Sequence, residues 1–126
     1  MVGESEMLAR FILQGSYVRS DNTIRQNAFI PHPYPDLSVT RHLNWNEAQI
    51  WENGEAVART SKKNLHGRGD CLCSVYRFFK LKVLAAPVQG NPNHANVTDW
   101  PADKPAQKII ALQIASHASY FPKLSK

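Results

Sequence analysis

Leu37-Ser38-Val39-Thr40-Arg41-His42-Leu43-Asn44-Trp45-Asn46-Glu47 changes period part-way along. From Leu37 to Leu43 the chain alternates, with Leu37, Val39, Arg41 and Leu43 on one side and Ser38, Thr40 and His42 on the other. Period two with one apolar side is the mark of a half-buried strand. Asn44 then stands where a helix N-cap is wanted, Glu47 three residues on can complete a capping box, and Trp45, Ala48, Ile50 and Trp51 form an apolar stripe. A strand is therefore expected to run into a helix over about 45–53, with Gly54 ending or breaking it, although Glu55 to Ala58 could resume it for another turn.

Working outward, Pro31, Pro33 and Pro35 force an extended approach to that strand, because each ring fixes φ and restricts the residue before it. Leu8 to Gln14 reads as a first strand, although a short helix fits the pattern almost equally, and the first six residues read as loose. Cys71 to Phe79 and Leu81 to Val88, rich in β-branched, aromatic and aliphatic residues, read as further strands, and His94 to Thr98 follows the turn Gly90-Asn91-Pro92-Asn93. The last element is a helix over 103–119, capped by Asp103, with Pro105 tolerated in its first turn and Ala106, Ile110, Ile114 and Ala118 on one side. The expectation is an α+β fold: one domain over 1–126 with a mainly antiparallel or mixed sheet packed against two helices.

At 126 residues, 43% of them hydrophobic, the chain is long enough for one core without disulfide staples. No apolar run approaches the roughly 20 residues of a membrane span, and Glu4 and Glu6 stand where a secretory signal would carry positive charge. Cys71 and Cys73 would point to opposite sides of a strand, so a mutual disulfide is not expected, and a reducing, cytoplasmic location suits them. His66 with the two cysteines makes three soft ligands, one short of the tetrahedral set that zinc takes; no metal site is expected. Walker, dinucleotide-binding and nucleophile-elbow motifs are absent from the sequence, and no cofactor is expected.

The net charge of +5 is unevenly distributed. Residues 59 to 82 hold Arg59, Lys62, Lys63, Arg68, Arg77, Lys80 and Lys82 against Asp70 alone, a net +6, which leaves −1 for the rest of the chain. Such a segment is the footprint of a module that meets nucleic acid or an acidic protein; the plainer reading is a solvated helix end followed by a strand kept soluble by lysines. Tyr76, Phe78 and Phe79, interleaved with these charges, read either as a base-stacking platform or as core.

Five histidines are the remaining chemical resource: His32, His42, His66, His94 and His117. His94 is singled out because it follows a tight turn and precedes Asn96, Asp99 and Trp100 at a strand-loop junction, although a purely structural hydrogen bond would also account for it. A second reading is therefore a small enzyme acting on RNA, a nucleotide or another phosphorylated substrate, with His94 as acid/base, Arg41 stabilising charge and Asn96 or Asp99 orienting the imidazole. Arg41 on the apolar side of its strand must meet a carboxylate or an anionic ligand, and Asp36, Glu47 and Asp99 are the candidate partners. A third reading is a homo-oligomer built through Trp45, Trp51 or Tyr120-Phe121.

The stretches Leu37-Ser38-Val39-Thr40-Arg41, Glu47 to Gly54 and His94-Ala95-Asn96-Val97-Thr98-Asp99-Trp100-Pro101-Ala102-Asp103-Lys104 resemble a pattern in small uncharacterised bacterial proteins, over about residues 25 to 118. The resemblance implies a bacterial or mobile-element source; it carries no activity and no site.

Overall fold

The alternation of Leu37 to Arg41 does form a strand, and five others join it in one antiparallel sheet. The computed structural model describes residues 2–31 and 33–124. In chain order the strands are β1 (Met7–Ile12), β2 (Leu37–Arg41), β3 (Gly67–Leu72), β4 (Lys82–Ala85), β5 (His94–Thr98) and β6 (Ser119–Pro122), arranged β4-β5-β2-β1-β3-β6. Three helices, α1 (Glu47–Thr60), α2 (Cys73–Phe78) and α3 (Lys104–His117), complete an α+β fold, with short 3-10 turns at Gly15–Tyr17 and Gln26–Phe29.

Strand parity divides the side chains between two cores. Leu8 and Ile12, Leu37 and Val39, Ala95 and Val97 bury into the larger core beneath α3, α2 and the second 3-10 turn. Ala9 and Phe11 pack on the opposite side against Ile50 and Ala58 of α1, with Leu65 below them. On that side Ser38 of β2 and Leu84 of β4 stay exposed, while His94 and Asn96 of β5 are half-buried.

Helix α1 differs from the expected 45–53 at both ends. Asn46 is the N-cap and shares its capping box with Gln49, whereas Asn44 takes a left-handed turn at φ 61°. Gly54 does not stop the helix: a Cβ there would lie 2.7 Å from Phe11 Cε1, so the glycine is where the helix comes closest to the sheet. The helix ends instead in a Schellman motif, Lys63 N–H donating to Ala58 O and Lys62 N–H to Arg59 O, with Lys62 at φ 56° in the position glycine prefers. The last helix is close to its expected span, with Asp103 capping Ala106 N–H and a proline in the first turn.

Residues Cys71 to Phe79 are not one strand. The strand ends at Leu72 and the chain turns into α2, which buries Cys73 and Tyr76 three residues apart on one helical face. Cys71 and Cys73 therefore both enter the larger core as free thiols instead of facing apart. Burial pushes the Cys71 thiol up to about 12, which keeps it protonated and unreactive. At the N-terminus Val2 is fully buried, its carbonyl accepts from Arg77, and Cys73 N–H donates to Glu6 O, while Gly3, Glu4 and Ser5 are exposed.

Candidate functional site

The six strands are unevenly paired, and the site arises from that unevenness. Strands β1 and β3 match over six residues, from Met7↔Leu72 to Ile12↔Gly67. Strands β1 and β2 match only at Leu8↔Arg41 and Ala9↔Thr40 and then part. Arg10 is the first residue of β1 beyond the fork, and because Ala9 pairs with Thr40 and Thr40 with His94, its side chain leaves the strand on the side opposite His94 and reaches the cleft lining through the gap between β1 and β2. Its Nε donates to Ala28 O at 2.8 Å and its Nη1 to Ser38 O at 3.0 Å, so a guanidinium takes the place of the missing backbone ladder.

A cleft of about 270 Å³ opens at this fork. Arg10, Lys63 and His94 line it as cationic or ionisable groups, Tyr17, Phe11 and Val57 give it an apolar wall, and no aspartate or glutamate contributes to its lining. Arg10 forms no ion pair among the described residues, where Arg41 and Arg68 both have carboxylate partners. Desolvation lowers its pKa, with Tyr76 and Tyr17 opposing that shift, but an arginine still keeps its charge at neutral pH. Lys63 reaches the cleft because the Schellman turn projects the chain back from the end of α1.

His94 is held from two directions. Its backbone carbonyl accepts from Ala86 N–H at 2.8 Å, and its ring Nδ1 lies 2.9 Å from Ala86 O. A carbonyl only accepts, so Nδ1 carries the hydrogen, and the neutral ring has its lone pair on Nε2. The preceding loop is fixed by buried amides. Asn91 Nδ2 donates to Thr40 Oγ1, Thr40 Oγ1 donates to Asn53 Oδ1, and Asn93 Nδ2 donates to Arg41 O.

The other sequence candidates do not assemble around His94. Thr40 pairs with His94 across β2 and β5, so Arg41 points to the opposite side of the sheet. There it meets Glu6, Nε to Oε1 at 2.7 Å and Nη2 to Oε2 at 2.9 Å, rather than Asp36, Glu47 or Asp99. Asp99 sits at φ 69° and pairs with Lys82 at 3.4 Å, and the group that orients His94 is the Ala86 carbonyl. Asn96 lies two residues along β5 on the same side as His94 but outside the cleft lining. His66 and His117 are exposed away from the cleft, and His32 lies outside the described residues.

Segment 59–82 does not form one surface. Arg59, Lys62 and Lys63 are exposed around the end of α1, while Lys80 precedes and Lys82 opens β4 at an edge of the sheet. Arg77 binds the Val2 carbonyl. Arg68 is 2% exposed: its Nε faces Asp70 at 3.1 Å and its Nη2 Glu47 at 2.9 Å, and the guanidinium lies between the rings of Trp51 and Phe121 at 4.8 and 5.1 Å. His42 Nε2 approaches the same Asp70 at 3.2 Å. Although burial opposes the charge on Arg68, its hydrogen bonds to Glu47 and its pairing with Asp70 raise its pKa, and the bond from Arg68 lowers that of Glu47. Trp51 and Phe121 are thereby engaged within the chain, Tyr120 donates to His66 O, and Phe78 is the exposed member of the Tyr76, Phe78 and Phe79 group.

Arg10 escaped the sequence reading. Its one signal is a lone charge inside an apolar strand, Met7-Leu8-Ala9-Arg10-Phe11-Ile12. Among the described residues no cluster of three potential metal ligands occurs, and no helix is long and apolar enough to cross a membrane. No protein-family model matches the chain, and neither a curated protein nor a solved structure does.

Proposed function

We propose that the protein binds a phosphate-bearing ligand in the cleft at the β1–β2 fork, with Arg10 and Lys63 supplying charge and His94 facing the bound group. The observation that carries this reading is the charge imbalance of the cleft: a half-buried guanidinium with no carboxylate partner among the described residues, in a lining that contains no acidic side chain. Partial burial of a cation without a counter-charge is unfavourable unless hydrogen bonds or an anion compensate it. Two backbone carbonyls accept from the Arg10 Nε and Nη1, and neither brings a negative charge. The cleft volume lies just below the roughly 300–1,000 Å³ of small-molecule sites, which suits a sugar phosphate or the phosphate end of something larger.

The test is calorimetric titration with ribose 5-phosphate and with ribose. Binding of the phosphate ester alone, weakened about tenfold (about 1.4 kcal/mol) by Lys63→Ala and unchanged by Lys82→Ala, is expected. Equal binding of both sugars, or of neither, would contradict the reading.

A polymeric ligand is favoured by one further observation: Arg59, Lys62 and Lys63 are exposed together at the end of α1, beside the cleft. The same charges complement the carbonyl end of that helix. A nucleic-acid strand crossing this end would bind with an affinity that falls as salt rises. Fluorescence anisotropy of a labelled single-stranded RNA at two salt concentrations, with an Arg59/Lys62/Lys63→Ala variant, checks this. Salt-insensitive binding, or binding unaffected in the variant, removes the polymeric reading.

A further inference from the structure

We propose that the cleft is catalytic, and that it cleaves ribonucleotide phosphodiesters without a metal ion by letting the substrate's own 2′-hydroxyl attack its phosphorus, with His94 as the base. This rests on the phosphate-binding reading above and adds to it a substrate class and a reaction. Among the described residues the cleft lining lacks two kinds of group that would open other routes. It offers no carboxylate to hold a divalent cation between two phosphate oxygens, and no thiol. Its hydroxyls are poor nucleophiles in place: Thr40 Oγ1 is engaged with Asn53 and Asn91, and among the described residues neither Ser38 nor Tyr17 is hydrogen-bonded to His94. What remains is one base, two cations and an apolar wall. A phosphodiester that carries its nucleophile on the neighbouring carbon asks no more of a protein than this.

The groups divide the step as follows. The bare Nε2 of His94, fixed in that tautomer by Ala86, accepts the 2′-hydroxyl proton. The 2′-oxygen forms its bond to phosphorus as the bond from phosphorus to the 5′-oxygen breaks. The Lys63 ammonium gives a proton to the departing 5′-oxygen. The Arg10 guanidinium, which reaches the cleft through the gap between β1 and β2, meets the non-bridging oxygens from the side opposite His94 while charge accumulates on them. The products are a 2′,3′-cyclic phosphate and a free 5′-hydroxyl. One proton enters His94 and one leaves Lys63, solvent restores both, and nothing is oxidised or reduced.

The experiment uses the full chain with the ribodinucleotide UpA and its 2′-deoxy analogue in excess EDTA, following products by phosphorus NMR. Steady formation of a 2′,3′-cyclic phosphate from UpA, none from the deoxy analogue, and a rate reduced at least about a hundredfold by His94→Asn are expected. Asparagine retains a donor for Ala86 O but has no nitrogen lone pair to act as base. Lys63→Ala, at an exposed position that leaves the fold intact, should slow the reaction about tenfold or more, and wild-type and variants purified side by side exclude a contaminating nuclease. An absent cyclic product, equal cleavage of the deoxy analogue, or an undiminished His94→Asn rate overturns the proposal. If UpA and ribose 5-phosphate bind but UpA is not cleaved, the catalytic inference fails alone; if neither binds, the ligand reading fails with it.

Discussion

Arg10 and Arg68 lie on neighbouring strands of one sheet, Arg10 opposite Gly69 and Arg68 opposite Phe11, yet the fold treats them in opposite ways. Arg68 is enclosed: burial acts to lower its pKa, but the hydrogen bonds to Glu47 and Asp70 and their charges raise it, the rings of Trp51 and Phe121 lie beside the guanidinium, and its buried Nη1 alone has no hydrogen-bond partner among the described residues. Among the described residues Arg10 meets carbonyl oxygens and no carboxylate, and it has an open cleft beside it and a pKa lowered by desolvation. A charge whose partners are all internal contributes to holding the fold, whereas a charge left without a counter-ion at a concave surface is available to a ligand. The buried arginine that dominates the contacts is therefore the structural one.

Replacing Arg68 by Met should give the largest stability effect. It leaves Asp70, 4% exposed at its side chain, without its principal cation, and loss of one partner from such a buried pair costs about 3–5 kcal/mol. Urea denaturation should report that loss while the residual folded protein still binds ribose 5-phosphate. Binding lost in proportion to the folded fraction fits the comparison; binding lost outright would join the two arginines into one site.

Gly54→Ala comes next. The added methyl meets Phe11 at 2.7 and 2.8 Å, and overpacking of about 1–3 kcal/mol should outweigh the gain in helix propensity of about 1 kcal/mol. The strain falls on the wall that Phe11 gives the cleft, so a calorimetric affinity change is expected together with the lower urea midpoint.

Arg41 and Glu6 show the structural pattern again, in a form that pH can probe. The hydrogen bond from Arg41 holds the Glu6 carboxyl below the usual glutamate range, against the opposing effect of burial. A depressed folded-state pKa adds stability that is fully present above the unfolded value and disappears as pH falls through the folded one. The urea midpoint of Glu6→Gln should therefore lie below wild type at neutral pH, and the gap should close below the folded pKa of Glu6. A gap independent of pH would assign Glu6 a packing role only.

Lys62→Gly should have the smallest effect and the opposite sign. Relief of the left-handed backbone at φ 56° is worth up to about 1 kcal/mol. Thermal denaturation should show a small rise in midpoint, with ribose 5-phosphate binding unchanged because Lys63, not Lys62, lines the cleft.

The legible parts of the fold were those where local pattern and tertiary packing agree. The alternation of β2, the strand after the Asn91-Pro92-Asn93 turn, and the Asp103 cap of α3 belong to that class. α2 was not legible, because aromatic and β-branched residues favour a strand and only the burial of Cys73 and Tyr76 three residues apart selects a helix. Gly54 misled for a related reason: a glycine required by a close approach is written with the same letter as one that ends a helix. Of the candidate site residues, His94, singled out by the turn before it, lines the cleft. Its orienting group is a backbone carbonyl, which sequence does not mark, and the Glu6 partner of Arg41 lies 35 residues away. Arg10 acquires its meaning from a fork between strands, a feature of pairing and not of composition.

The most direct measurement follows the side-chain Nε–H signals of Arg10 and Arg68 by nitrogen-edited NMR while inorganic phosphate is added, with assignments from Arg→Lys variants. The expected result is a saturable shift of the Arg10 signal with the Arg68 signal stationary. A stationary Arg10 signal, or equal movement of both, would contradict the assignment of the β1–β2 fork as an anion site.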